Sequence, residues 1–482
     1  MSLLARAAVI FVTFGLLCGA ASAESLRVVT RDGAPIGGPA TRYGESFARE
    51  TGIAVEVIRR PFASLYGEIM VGFVTGLSEA DVLLIPSAWL PDFAPYLAPV
   101  PEVLAESDLV RGIHPIYRDA LMRWQGRTMA VTIDGDLLIG AYRRDLFEDP
   151  AMRAAFHAAT GRALEPPRSW EDYLAIAAFF DGRPGPDGKP LAGTLEAHAA
   201  SGQRLWSLIG HAAAYATHPG EPGTLFFDPV TMTPAIDNPA WQRALDEYLA
   251  AARLGPPDSL AIASHDVRRR FAAGEAAMAI DWSDIGVLAA DPENSAVAGH
   301  VGFFALPGSR ESWNGRTRSW DTLSTVREVP FLAFGGWLAA VPLSARDPKA
   351  AWDYIAWLAA PEHADRDVTD GASGFNPYRT SQLEDGPLWQ AVMGKDASAR
   401  YLAVLRQSLA APEAARDLRL PGYPAYMDAL DTQLGRILAG EAAPAAALAD
   451  AAIQWKQITD RLGRDAQARH YREAMGLGET AP

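Results

Sequence analysis

Between Leu26 and Ile85 the chain alternates strand-forming runs with helical stripes, and this alternation limits the fold more than any other feature. Leu26–Thr30 (Leu-Arg-Val-Val-Thr) reads as a strand. A helix follows through Tyr43 and Phe47 to Glu50, with Gly52 placed to end it in the left-handed conformation. Ala54–Ile58 is a second strand, and Leu65, Ile69 and Phe73 share one face of a second helix. Asp81–Ile85 (Asp-Val-Leu-Leu-Ile) is apolar on both faces, as a buried parallel strand must be. Strand, helix, strand, helix, strand predicts a parallel sheet covered on both sides.

The pattern returns downstream. Thr128–Ile133 and Leu137–Tyr142 read as strands around an Asp134-Gly135-Asp136 turn. Ser169 caps a helix whose first turn holds Glu171 and Asp172. Trp241, Leu245, Tyr248 and Ala252 mark an amphipathic helix. Ala276–Trp282, His300–Leu306 and Gly336–Val341 are strands, and Ala350–Leu358 is a helix. Gly308–Arg327 is polar, holds Trp313 and Trp320, and reads as a long loop. The last third is helical, with Leu448, Ala452, Trp455, Thr459 and Leu462 on one stripe. A protein of 482 residues buries a large core and suggests two lobes or more.

The N-terminus sets the compartment. Arg6 precedes the apolar run Ala7–Leu17, and Ala21-Ser22-Ala23 fits a small-residue cleavage site. This order reads as a signal peptide over residues 1–23, with a mature start at Glu24 and a periplasmic destination. Leu17 before Cys18 is a poor match to a lipid-attachment motif. Cys18 is the only cysteine, so the mature protein has no disulfide or thiolate chemistry. A formal charge of -15 argues against nucleic acid or anionic membrane as partner.

Enzyme signatures are missing. The sequence has no Gly-rich phosphate loop ending in Lys-Ser/Thr, and Gly371-Ala-Ser-Gly374 lacks the spacing of a nucleophile elbow. His211 and His218 are the closest histidine pair, without an acid at metal-ligand spacing, so capping or surface roles are expected. Asp134 and Asp136 sit two apart on an extended segment and point the same way. That does not flank a scissile bond, and it suits hydrogen bonding to a ligand or a turn. No metal, cofactor or catalytic residue is expected.

The 13 Trp residues say more. Trp89, Trp282, Trp320 and Trp337 fall at strand ends and loops, whereas Trp241, Trp352 and Trp455 fall on helix stripes and read as core. Indole faces stack on the C–H face of a sugar ring, while charged side chains bind its hydroxyls.

Several segments, taken in order, resemble one family. Phe271-Ala-Ala-Gly-Glu-Ala-Ala-Met-Ala-Ile-Asp-Trp282, Val301-Gly-Phe-Phe-Ala-Leu-Pro-Gly308 and Gly335-Gly-Trp-Leu-Ala-Ala-Val-Pro-Leu-Ser344 are three of them. Asp134-Gly-Asp136 with Tyr142-Arg-Arg-Asp-Leu-Phe147, the 347–361 helix segment, and Pro421-Gly-Tyr423 with 430–449 complete the set. Together they are similar to extracellular solute-binding protein family 1, the carbohydrate-binding subunits of ABC importers, which includes maltose-binding protein. Two segments depart from the pattern and leave sugar specificity open: Arg310–Val329, read as an inserted Trp-bearing loop, and the Gly/Pro-rich turn Asp32–Pro39.

The resemblance implies an α/β fold of periplasmic binding protein type II, with two α/β lobes joined by a hinge and a ligand cleft between them. Lobe one would take residues 24–133 and 330–380, lobe two 134–329 and 381–482. Trp282 and Trp337 would line the cleft from opposite lobes, with Trp89, Asp134, Asp136, Arg379 and Tyr423 as further ligand contacts. The expected partners are a small polar solute, first of all a sugar, and the membrane subunits of an ABC importer. The protein itself is expected to be a monomer. A polyol, an opine or a redox cofactor would suit the same fold. From another class, a periplasmic glycan-processing enzyme would need an acid pair across a cleft, and the sequence points to none.

Overall fold

The computed structural model describes residues 25–186, 188–200 and 203–478. The expected signal peptide, its cleavage site and Cys18 lie outside the described residues.

Two sheets organise the protein. The first runs Val55–Arg60, Leu26–Arg31, Val82–Pro86, Trp337–Pro342 and Leu97–Ala98, with Val131–Thr132 also paired to Trp337–Pro342. Its first three strands are parallel, and Trp337–Pro342 returns antiparallel to Val82–Pro86. All five residues of Val82–Pro86 are buried, which explains the unbroken apolar run. The second sheet runs Val301–Ala305, Leu138–Arg143, Ala276–Trp282 and Ala192–Leu195. Two α/β lobes result, one about each sheet.

The helices form where the stripes predict. Gly37–Thr51 ends at Gly52 with φ 78°, the left-handed cap that only glycine adopts without strain. It buries Tyr43 and Phe47, and Phe47 meets Tyr354 edge-on at 5.5 Å. Each such buried side chain stabilises the lobe by about 1.5–3 kcal/mol. Ser169 caps Trp170–Phe180, its hydroxyl accepting from the Asp172 N–H at 3.1 Å. Trp241, Trp352 and Trp455 are buried core residues, as their stripes predict. In Gln203–Ala216 every residue from Arg204 onward is buried, the mark of a helix inside a lobe. Among the described residues no helix is long and apolar enough to cross a membrane.

Three local expectations do not hold. The 308–327 segment is a β-hairpin, Ser309–Asn314 paired with Ser319–Arg327. Its polarity hides an alternation. Trp313 and Trp320 meet across the strands at 5.6 Å, and Asn314 Oδ1 accepts the Arg316 and Thr317 N–H groups at the turn. The hairpin packs on lobe two, where the Arg243 guanidinium lies 3.8 Å from the Trp320 ring centroid. Asp134-Gly135-Asp136 is not a turn but an irregular passage joining the two sheets. His211 is neither a cap nor a surface residue. It is fully buried, stacks on Trp170 at 3.6 Å and pairs with Glu196 at 3.0 Å. His218 does sit near the surface, bonded to Asp321 and to the Gly220 N–H.

Candidate functional site

Three passages of backbone converge where the sheets face each other. The first is Ile133–Leu137, which leaves the first sheet for the second. The second is Phe334-Gly335-Gly336, which brings the backbone back, and all three residues have positive φ (59°, 73° and 83°). The space is tight: a Cβ at Gly336 would lie 1.9 Å from the Asp134 carbonyl oxygen. Ser87 fixes this passage, donating its hydroxyl to the Phe334 carbonyl and its N–H to that of Gly336. The third passage is centred on Asn376, which carries no signal in the sequence.

Asn376 ties the passages together. Its N–H donates to Asp134 Oδ1 at 2.6 Å, and its Nδ2 donates to Asp136 Oδ1 at 3.0 Å. Its Oδ1 accepts from the Ser283 hydroxyl at 2.7 Å and the Asp284 N–H at 2.8 Å. One buried amide thus joins both crossing carboxylates to the end of the second sheet.

The charges around it are concentrated and buried. Asp134, Asp136, Asp281 and Asp284 are all buried. Arg268 pairs with Asp281 at 3.1 Å and also with Asp284. Burial opposes the Arg268 charge, but Asp284 and Asp281 outweigh it and raise its pKa. Burial pushes the Asp134 and Asp136 carboxyls well above the usual range, and for Asp136 the neighbouring Asp134 and Asp284 push further. Asp281 is pushed up to about 7 by burial, against the pull of Arg268. Asp134 Oδ2 has no hydrogen-bond partner among the described residues, consistent with a carboxyl that keeps a proton.

Arg31, at the end of the first strand, faces this group. Among the described residues it makes no ion pair, and its one side-chain hydrogen bond goes to the neighbouring Asp32 carbonyl. Its guanidinium lies 5.7 Å from the Phe62 ring centroid. Burial, with Arg268 nearby, lowers its pKa.

An aromatic row runs beside the charges. Phe62, which opens the Phe62–Thr75 helix, stacks on Trp89 at 5.5 Å and meets Trp337, on a first-sheet strand, at 6.2 Å. Phe334 joins them to lobe two, 5.7 Å from Phe62, 4.0 Å from Trp206 and 5.9 Å from Trp282. Trp89, Trp282 and Trp337 are 5%, 7% and 5% exposed, and their indole N–H groups donate to no protein acceptor among the described residues. Trp206 is different, donating to Asp417 Oδ2 at 2.8 Å.

The structure therefore groups Trp89, Trp282, Trp337, Asp134 and Asp136 near the crossings. Tyr423 reaches the group indirectly, donating to the same Asp417 Oδ2 at 2.9 Å. Arg379 is elsewhere. It is buried with its guanidinium against Gly112, donating to the Ala359 carbonyl at 3.4 Å. Arg31, Phe62, Trp206, Phe334 and Asn376 belong to the group without standing out in the sequence. Trp206 carries one signal, an indole opening a helix of small and apolar residues.

Chemically the arrangement presents indole faces and free N–H donors beside a carboxyl and a guanidinium. It suits a small ligand with an apolar face and several polar groups. Among the described residues no cluster of three or more His, Cys, Asp or Glu could hold a metal ion.

Comparison with known proteins follows the same lines. Residues 29–365 match the model of the family described as bacterial extracellular solute-binding protein. A probable amino-acid ABC transporter periplasmic-binding protein of Sinorhizobium fredii is 23% identical over 383 residues, 76% of this chain and 75% of the relative. A ribitol complex of an ABC transporter solute-binding protein from Agrobacterium radiobacter superposes with TM-score 0.69 at 22% identity, covering 90% of this chain and 98% of the other. A D-mannitol complex from Agrobacterium vitis gives 0.68 at 18%, covering 91% and 99%. Maltose-bound MalE3 of T. maritima gives 0.67 at 18%, covering 90% and 99%.

Proposed function

Because the protein belongs to the bacterial extracellular solute-binding proteins, the ligand-capturing subunits of ABC importers, we propose that its interlobe group binds a polyol or small sugar. The observation that carries this is the pairing of two surfaces. Indoles with unused N–H groups among the described residues come from both sheets, and beside them are the Asp136 carboxyl and Arg31, which makes no ion pair among the described residues. The ligand's C–H groups would lie on the indoles, and its hydroxyls would donate to Asp136 and accept from Arg31. Trp89, Trp282, Trp337, Asp134 and Asp136 are the proposed contacts, with Tyr423 acting through Asp417. Arg379, bonded inside lobe one, is the weakest of the candidates. The ribitol, mannitol and maltose complexes of the structural neighbours support this class.

The proposed lobes are residues 24–133 with 330–380, and 134–329 with 381–482. All six strands of the first sheet fall in the first set and all four of the second sheet in the other, which supports this division. Closure of the lobes on the solute would present the importer with a distinct shape. The solute is released unaltered. Asp134 and Asp136 share one amide and one side of the passage, which supports binding over hydrolysis. The working protein is a monomer outside the cytoplasm, in the periplasm by its leader.

An amino-acid ligand is the second reading. Arg31 offers a cation for a carboxylate and Asp136 a carboxyl oxygen as acceptor for an ammonium, and the Sinorhizobium relative is named for amino acids. Calorimetry with ribitol, D-mannitol, maltose and a set of amino acids decides between them. A polyol or sugar should bind one-to-one and be recovered unchanged. Trp282→Ala should weaken it by about 1–3 kcal/mol. Binding by amino acids alone would favour the second reading, and consumption of the ligand would point to an enzyme.

A further inference from the structure

A cavity of about 460 Å³ lies beside the crossing passages, since its Arg416 pairs with Leu332, but shares none of the residues placed there. It is lined by segments far apart in sequence, including Arg123 and Trp124 from the first-sheet part of the protein, Arg416 and Arg419, and Glu473 near the C-terminus. Its charge is unusual for a protein of formal charge -15. Three guanidinium groups line it. Of its two carboxylates, Asp119 is already held by two nitrogens of Arg118, at 2.8 and 3.0 Å, and only Glu473 is without an ion pair among the described residues.

None of the three arginines has a carboxylate partner among the described residues. Arg419 is 2% exposed, yet its guanidinium is met only by the carbonyls of Ala120, Leu121 and Arg123, and its Nε has no partner there. Arg416 donates to the Ala474 carbonyl at 3.1 Å, and Arg123 to that of Gly126 at 2.7 Å. Carbonyl dipoles hold these cations in place without neutralising them. A buried cation is normally paired, because removing it from water costs several kcal/mol. Burial lowers the pKa of both Arg416 and Arg419, and Arg416 lowers that of Arg419 further, against a smaller opposing pull from Glu473. Arg419 is thus a buried cation at the cavity wall that only backbone carbonyls meet among the described residues.

We infer that this pocket is a second binding site, for a small oxyanion of two or more charges, a phosphate or a polycarboxylate. The volume falls in the range of small-ligand pockets, about 300–1,000 Å³. Guanidinium groups bind both anion classes through paired N–H···O bonds. An anion there would join the 115–126, 416–419 and 473–476 segments and stiffen the seam between them.

Titration calorimetry and thermal shift with inorganic phosphate and with citrate, against chloride at equal ionic strength, test this. Wild-type protein should bind at least one of the two saturably, with a rise in Tm of about 1–3 °C. Arg416→Gln should weaken binding about 10- to 100-fold, the loss of one charge-assisted contact. Arg123→Ala, on an exposed residue and so safe for folding, should weaken it in the same direction. Arg31→Gln, at the crossing, should leave it unchanged. No saturable binding of either anion would overturn the inference. So would equal affinity in Arg416→Gln and Arg123→Ala, or a loss confined to Arg31→Gln, which would put the anion in the solute cleft.

Discussion

Asn376→Ala is the sharpest test of how the crossing is held. Asn376 is 1% exposed, and its side chain serves four buried partners, of which Asp134 also keeps the Asn376 N–H. Truncation leaves the Ser283 hydroxyl, the Asp284 N–H and the Asp136 carboxyl each short of one bond. A buried polar group left unsatisfied costs about 1–3 kcal/mol, so three give roughly 3–6 kcal/mol after partial relaxation. For 482 residues the unfolding entropy is on the order of 1 kcal/mol per degree, so Tm should fall by about 3–6 °C. Scanning calorimetry at pH 5 and pH 8 reads it out. Asn376→Asp makes the argument specific, because it places a third carboxyl against Asp134 and Asp136. Its loss should be clearly larger at pH 8 than at pH 5, while that of Asn376→Ala should change little. A drop below about 1 °C for Asn376→Ala, or an Asn376→Asp loss independent of pH, would refute the hub.

Three further outcomes follow from the same geometry. Gly336→Ala combines a φ of 83° with a Cβ 1.9 Å from a backbone oxygen, so it should cost more than about 3 kcal/mol or abolish soluble expression; a near-wild-type denaturation curve would contradict the packing at the crossing. Asp134, Asp281 and Asp417 have folded pKa values raised to about 8, 7 and 6 by burial. They keep protons that the unfolded protein releases near pH 4, so their contribution is full below pH 4 and is lost as pH rises through 6 to 8. Asp134→Asn should therefore flatten the fall in Tm between pH 5 and pH 8, and an unaltered slope would show that Asp134 is ionised throughout. Intact-mass spectrometry of secreted protein should find a mature N-terminus at Glu24, whereas a lipid on Cys18 would show a different processing route.

Much of the scaffold is legible in the sequence because it rests on local periodicity. Val82–Pro86 is buried on both faces and reads so in a five-residue window. The stripe of Leu65, Ile69 and Phe73 needs only helical spacing, and all three are buried. The 308–327 hairpin escapes that reading because its apolar positions, Trp313 and Trp320, face each other across a turn and not along one strand. His211 escapes it for a related reason. An imidazole is placed by its partners, and Glu196 and Trp170 are 15 and 41 residues away.

The crossing is only half visible in sequence, and the missing half consists of long-range bonds. Asp134 and Asp136 stand out, but Asn376 reaches them across 242 and 240 residues, and no spacing rule spans that distance. Arg31 looks like any charged residue at a strand end until the fold half-buries it near Asp136. What does hold information is the conflict with local rules. A protein selected only to fold would not collect four acids in a buried seam, nor hold Phe334 at φ 59° beside two left-handed glycines. Such conflicts concentrate where structure yields to function. Here they share one place with three indole N–H groups that have no protein acceptor among the described residues. A polyhydroxylated solute would relieve both at once, its hydroxyls donating to the carboxyls and accepting from the indoles.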